Sequence, residues 1–291
     1  MFSYLICLTL LANILCVMCE NTIFVPNNTH IYHHPLIISE NNCLYYNNAL
    51  IDIIVPINIK TAKFALKYLL PSYFLYVSPA LIRLIFLFPD DDENRHYANT
   101  IFAHYPGIPC YTFRHNMPYK YKLPIVMNPE LKKHIDVLEE EWCKFYLDAY
   151  TPNTTSIYLG YMKYNNIFIT PVTKYDLLNS DGQPRVLGGF YDTVATIPYA
   201  NCVFNFVGED AYYDFTSYDP VILYKQSYYD IRILIENIGA NIEILFSKSD
   251  AQHIRFSQIA LNVLFLQQGI ISDNYYQWHI SCEPEDPECI K

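Results

Sequence analysis

The sequence predicts an all-β protein: two tandem antiparallel β-sandwich domains, jelly-roll-like, with one short helix. Three observations predict it. The stretch from Trp142 to Ile169, WCKFYLDAYTPNTTSIYLGYMKYNNIFI, alternates apolar and polar positions around turn residues, the pattern of half-buried hairpins. Aromatic residues make up 16% of the chain and include 28 tyrosines, a residue that strands favour. Two distant segments also look alike. Ser72–Phe88 reads SYFLYVSPALIRLIFLF and Ser227–Phe246 reads SYYDIRILIENIGANIEILF, and a repeat this far apart implies tandem domains rather than a solenoid.

Taken in order, residues 1–19 form an apolar run of signal-peptide length, with Val17 and Cys19 at an acceptable cleavage site. The run lacks a Lys or Arg ahead of it, so a retained membrane anchor is the competing reading. Residues 20–42 form an irregular arm rich in Asn, Pro and His. His30, His33 and His34 have no acidic or Cys ligand beside them and read as a solvated loop rather than a metal site.

Residues 43–203 are the expected first domain. Strands fill 43–70, with an edge or break at Pro56. Residues 64–88 approach the length of a membrane span, but Lys67, Pro71, Pro79 and Arg83 interrupt them, and they read as the buried strands SYFLYV and ALIRLIFLF. The carboxylates Asp90, Asp91, Asp92 and Glu93 lack the spacing and glycine of a calcium loop and read as a charged turn. Residues 95–115 give two strands joined at Pro106-Gly107. A helix is expected over 128–141, where Asn128 can cap, Pro129 suits the first helical position, and Leu131, Ile135 and Leu138 keep helical spacing. The Trp142–Ile169 meander follows, turning at Pro152-Asn153. Gly188-Gly189 marks a bulge or close backbone contact and not a phosphate loop, since no Lys-Ser/Thr follows. Residues 204–291 are the expected second domain, a partial repeat, with strands in 227–250, 252–269 and 274–282.

The chemistry points to export. Of nine cysteines, three lie in the leader; the others are Cys43, Cys110, Cys143, Cys202, Cys282 and Cys289, an even set that suits disulfides in an exported chain. The expected pairs are Cys43–Cys202, Cys110–Cys143 and Cys282–Cys289. Two glycosylation sequons begin at Asn27 and Asn153, the second on the predicted hairpin tip. A net charge of −10 argues against nucleic acid and against an anionic membrane surface.

Parts of the chain resemble the farnesoic acid O-methyltransferase-like domain of secreted proteins. Ala80-Leu81-Ile82-Arg83-Leu84 matches the family's A-x-I-x-L core. Tyr97–Gly107, running on to Arg114, matches its Y-E-I-x-I-G-G strand. Phe145-Tyr146-Leu147 with Ile157-Tyr158-Leu159-Gly160 matches its F-W-I … I-x-V-G hairpin, and Arg185–Phe190 its closing strand. The resemblance spans about residues 60–203, with a second partial copy in 204–291. It implies a β-sandwich. The expected function is a secreted, glycosylated binding or interaction protein, its ligand a carbohydrate or an extracellular protein. No cofactor, metal or catalytic residue is expected, nor stable membrane insertion once the leader is cleaved. The alternative is a secreted enzyme, an O-methyltransferase by family name or a hydrolase. No Gly-rich cofactor turn and no GxSxG elbow occurs, and His104, His115 or His253 could serve only in a site assembled across strands.

Overall fold

IDIIVP at 51–56 and IRLIFLFP at 82–89 are near-continuous apolar runs. Such runs belong to strands covered on both faces, which is what a parallel sheet provides. The computed structural model describes residues 37–38, 44–45, 49–103, 110–114, 125–151, 156–190, 213–215, 220–237, 242–246, 254–268 and 276–279. All fall in one unit, Leu36–Lys291. The fold is α/β, not the expected all-β pair of tandem sandwiches, and the β-sandwich implied by the family resemblance is corrected with it.

A short antiparallel pair, β1 (Ile37–Ile38) and β2 (Leu44–Tyr45), precedes the main sheet. β3 (Ile51–Pro56) leads into α1 (Ile59–Phe64), a π-helical stretch (Ala65–Leu69) and α2 (Leu70–Tyr76). β4 (Ile82–Pro89) returns parallel to β3. After α3 (Asp92–Ala103), β5 (Cys110–Arg114) returns parallel to β4. The short helix α4 (Pro129–Lys132), then α5 (Ile135–Lys144) and the single turn α6 (Leu147–Tyr150), carry the chain to β6 (Tyr158–Tyr161), which lies parallel to β3 on its other side. α7 (Lys174–Leu177) precedes β7 (Arg185–Phe190), which joins β8 (Tyr213–Asp214) and a late strand in a three-stranded sheet. β9 (Val221–Tyr224) closes the main sheet antiparallel to β6. α8 (Lys225–Asn237), α9 (Ile242–Leu245), α10 (Phe256–Gln268) and β10 (Tyr276–His279), the strand parallel to β7, complete the chain.

The main sheet therefore has the order β5-β4-β3-β6-β9. The chain steps outward from β3 through β4 to β5, then crosses back to place β6 on the other side, the arrangement of a doubly wound α/β sheet. Alternation along the strands feeds two cores. Ile53, Val55, Leu84, Phe86 and Phe88 pack with Ala62, Ala65, Leu69 and Tyr73 of the α1–α2 helix. Ile54, Ile85, Leu87 and Leu159 pack on the other face with Leu138 and Trp142 of α5, Ile231 and Ile235 of α8, and Ile259 and Val263 of α10. Helices on both faces and a sheet between give three layers.

The sequence-based strands fail where helical and strand periods both fit a short apolar run. SYFLYV ends a helix, because Ala62, Ala65, Leu69, Leu70 and Tyr73 share one buried stripe at helical spacing. The meander is likewise replaced: Trp142–Lys144 ends α5, Leu147–Tyr150 is a helical turn, and among the described residues of the stretch only Tyr158–Tyr161 is a strand. The look-alike segments take different structures, since Ile82–Phe88 is strand whereas Ile242–Leu245 is helix. QHIRFSQIALNVLFLQQG contributes α10, not two strands. Asn128 does cap a helix, its side chain accepting from the Glu130 backbone at 3.0 Å. Among the described residues, no helix is long and apolar enough to cross a membrane.

Candidate functional site

In a doubly wound sheet, ligands bind beyond the carboxyl ends of the strands, beside the point where the strand order reverses. Here that point lies between β3 and β6. A cleft of ≈ 530 Å³ occupies this edge, within the usual span of ligand pockets. Its floor is the end of three parallel strands: Pro56, the last residue of β3, with Ile57 after it, Pro89, the last residue of β4, with Asp91 beyond it, and Arg114 of β5. The first turns of α1 and α3 form one wall. Asp136, Val137, Glu139 and Glu140 of α5 form the opposite wall, and Tyr164, beyond β6, stands at the rim.

The charge of the lining is lopsided. Asp91, Glu93, Asp136, Glu139 and Glu140 outnumber Lys60 and Arg114 in the lining. The helix ends that would bind phosphate in such a fold are already occupied. Asn58 Oδ1 accepts from the Lys60 and Thr61 backbone N–H groups at 2.9 and 3.0 Å, and the Asn58 N–H donates to Thr61 Oγ1 at 2.9 Å. The Ile59 N–H donates to Asn94 Oδ1 at 3.1 Å. Asn94 in turn donates from Nδ2 and from its backbone to the two Asp91 oxygens, each at 2.8 Å. One chain of hydrogen bonds thus caps both helices and locks the two strand-to-helix turns together. The turn after β3 also has no glycine, so it lacks the close backbone approach of a phosphate loop.

Behind the α5 wall lies a buried ion cluster. Lys144 Nζ is 3.1 Å from Glu140 Oε1 and 2.8 Å from Glu141 Oε1, and it lies 4.4 Å from the centre of the Tyr161 ring. Burial alone would lower the Lys144 pKa; Glu141, Tyr161 and Glu140 outweigh it, and the pKa is raised. The ammonium is therefore held charged and fixes Glu140 at the cleft. Glu141 Oε2 accepts from the Phe256 backbone N–H at 2.7 Å, which ties α10 to the same cluster.

The structure deals with the sequence-based site residues as follows. Cys110 and Cys143 are both buried and are not bonded to each other, so the expected Cys110–Cys143 disulfide is corrected. Cys143 sits on a helix, where Arg114 Nη1 reaches its Sγ at 3.8 Å, and burial pushes the thiol pKa up. Cys43, Cys202, Cys282 and Cys289 lie outside the described residues, as do Asn27 and Asn153 and all the histidines singled out above. The carboxylate run is not merely a solvated turn: Asp91 caps α3 and Asp90 pairs with Arg95. Among the described residues, no group of side chains has the makings of a metal site. The cleft itself escaped sequence reading. Its signal was there, in two apolar strands that each end at proline and run into a capping Asn or Asp.

No family model matches this chain, and no curated protein does. Among solved structures, the chain is similar to mouse xyloside xylosyltransferase 1 in its apo form. The TM-score is 0.41 at 9% identity, and the match covers 79% of this chain and 86% of that one.

Proposed function

We propose that this chain is a binding protein whose ligand, a small hydroxyl-rich molecule of carbohydrate type, sits in the cleft at the carboxyl edge of the parallel sheet. One observation carries the reading: a carboxylate-rich cleft stands where doubly wound sheets bind ligands, with the backbone donors of its two helix ends already used. Carboxylates are pure acceptors and suit hydroxyl donors. Their excess repels phosphate, and so disfavours nucleotides. The glycine-free β3–α1 turn equally disfavours the cofactor of a common-type methyltransferase. The apolar run at 1–19 and the two sequons support the further reading that the protein is a glycoprotein outside the cell, with residues 1–19 removed, binding an extracellular glycan or protein rather than nucleic acid.

Isothermal titration of the full chain with neutral monosaccharides, nucleosides and nucleoside diphosphates tests the cleft. Sugar binding that weakens roughly tenfold in Asp136→Asn or Glu139→Gln, a loss of about one charge-assisted hydrogen bond, is the expected result. Tight binding of a nucleoside diphosphate with no response to any sugar would overturn it. A mature product whose N-terminus is not near Glu20 would overturn leader cleavage.

A further inference from the structure

The cleft does not end at Thr61. Phe64 and Tyr68 follow on the next turns of the same helix, 39% and 44% exposed. Tyr164, which lines the cleft from the β6 side, meets Phe64 edge-on at 6.1 Å and 82°. Phe64 and Tyr68 lie 4.7 Å apart at 47°, and Lys67 Nζ stands 5.0 Å from the Tyr68 ring centre. Tyr68 belongs to the π-helical stretch Ala65–Leu69, which begins directly after Phe64, and the buried face of that stretch, Ala65 and Leu69, is anchored in the core. A π turn is a costly irregularity that recurs at functional sites. Phe64 and Tyr68 are left in solvent here, beside the mouth of a polar cleft, while Tyr164 is half-buried and links them to it. The core beneath is filled without Phe64 and Tyr68, whereas Tyr164 packs against it.

We propose that Phe64, Tyr68 and Tyr164 form a second subsite, a stacking platform for the next ring of a carbohydrate chain whose first ring occupies the cleft; the ligand is then an oligosaccharide of two or more units. The proposal rests on the carbohydrate reading of the cleft. A pyranose has an apolar C–H face and a polar hydroxyl edge. The platform offers the counterpart, ring surfaces flanked by the exposed ammonium groups of Lys60, Lys63 and Lys67 on the same helix. Continuity through Tyr164 fixes the occupant: whatever fills the cleft extends onto these rings.

The test is titration calorimetry of the full chain with cello- and chito-oligosaccharides of one to four units. In the wild type, affinity rises roughly tenfold from the single sugar to the trimer, as a stacked ring would supply. In Phe64→Ala and Tyr68→Ala the ratio of trimer to monomer affinity falls to near one, and Tyr68→Phe, which keeps the ring, restores it. In Asp136→Asn both affinities fall together and the ratio stays. Thermal melts check that the variants fold. Equal affinity at every length in the wild type, or a length effect that survives loss of both rings, overturns the platform and leaves the cleft reading standing. Binding of neither ladder at any length, or nucleosides preferred over every sugar, overturns both.

Discussion

At the residue scale, the most informative pair is Asp52 with Arg83. Each occupies the second position of its strand, in I-D-I-I-V-P and I-R-L-I-F-L-F-P, and parallel register sets them side by side. Arg83 Nε donates to Asp52 Oδ1 at 2.8 Å, and Ser156 Oγ donates to Oδ2 at 2.5 Å. Asp52 is 0% and Arg83 4% exposed. Removing one partner of a buried pair leaves an expensive charge behind, whereas removing both can be nearly neutral. Arg83→Met should therefore cost roughly 3–5 kcal/mol in urea unfolding, and the double variant Asp52→Asn/Arg83→Met clearly less. Lys225 lies in the field of the same carboxylate, with its pKa lowered by burial first of all, and its proximity should hold the single-variant cost to the lower end. A double-variant cost equal to the sum of the Asp52→Asn and Arg83→Met costs would show that the two side chains act independently. The pairing was legible in the sequence, as opposite charges at matching positions of two apolar runs. It went unread because antiparallel strands were expected and the segments were never set in parallel.

At the element scale, β6 shows why the sequence misled. Tyr158-Leu159-Gly160-Tyr161 alternates as an exposed hairpin strand would, yet all four residues are buried. Their polar atoms are used: Tyr158 donates to the Gly182 carbonyl, and Tyr228 donates to the Leu159 carbonyl at 3.3 Å. Tyr158 is a core residue with a satisfied hydroxyl. Gly160 has the sharper reason. A Cβ there would lie 2.6 Å from the Val221 carbonyl oxygen and 3.0 Å from Ile222 Cγ1. The β6–β9 pair closes only because that atom is missing. Gly160→Ala must push β9 away and should cost roughly 1–3 kcal/mol, as overpacking does. The melting temperature should fall accordingly; an unchanged melt would mean that β9 is free to shift.

At the scale of the whole molecule, the helical character of 128–141, which the structure divides into α4 and α5, and the apolar character of 51–56 and 82–89 could be read from local signals, because caps and hydrophobic runs act over a few residues. The sheet order could not, since it depends on which distant strands meet. Nor could the long helices α8 and α10, whose stripes also look like short strands. The consequence is testable in the chain's cooperativity. β9 pairs with β6 across the residue-203 boundary that the sequence suggested, and α8 and α10 cover the face bearing Ile54, Ile85, Leu87 and Leu159. Glu141 accepting from the Phe256 N–H adds a buried polar tie over the same divide. A fragment of residues 43–203 would carry that apolar face bare and an unpaired edge at β6, the condition that leads to aggregation rather than folding. We expect it to lack both a sharp near-ultraviolet dichroism signal and a cooperative melt, while the chain through residue 291 shows both. A monomeric 43–203 fragment that unfolds cooperatively would show instead that the first part of the chain carries its own core, with α8 and α10 packed on as additions.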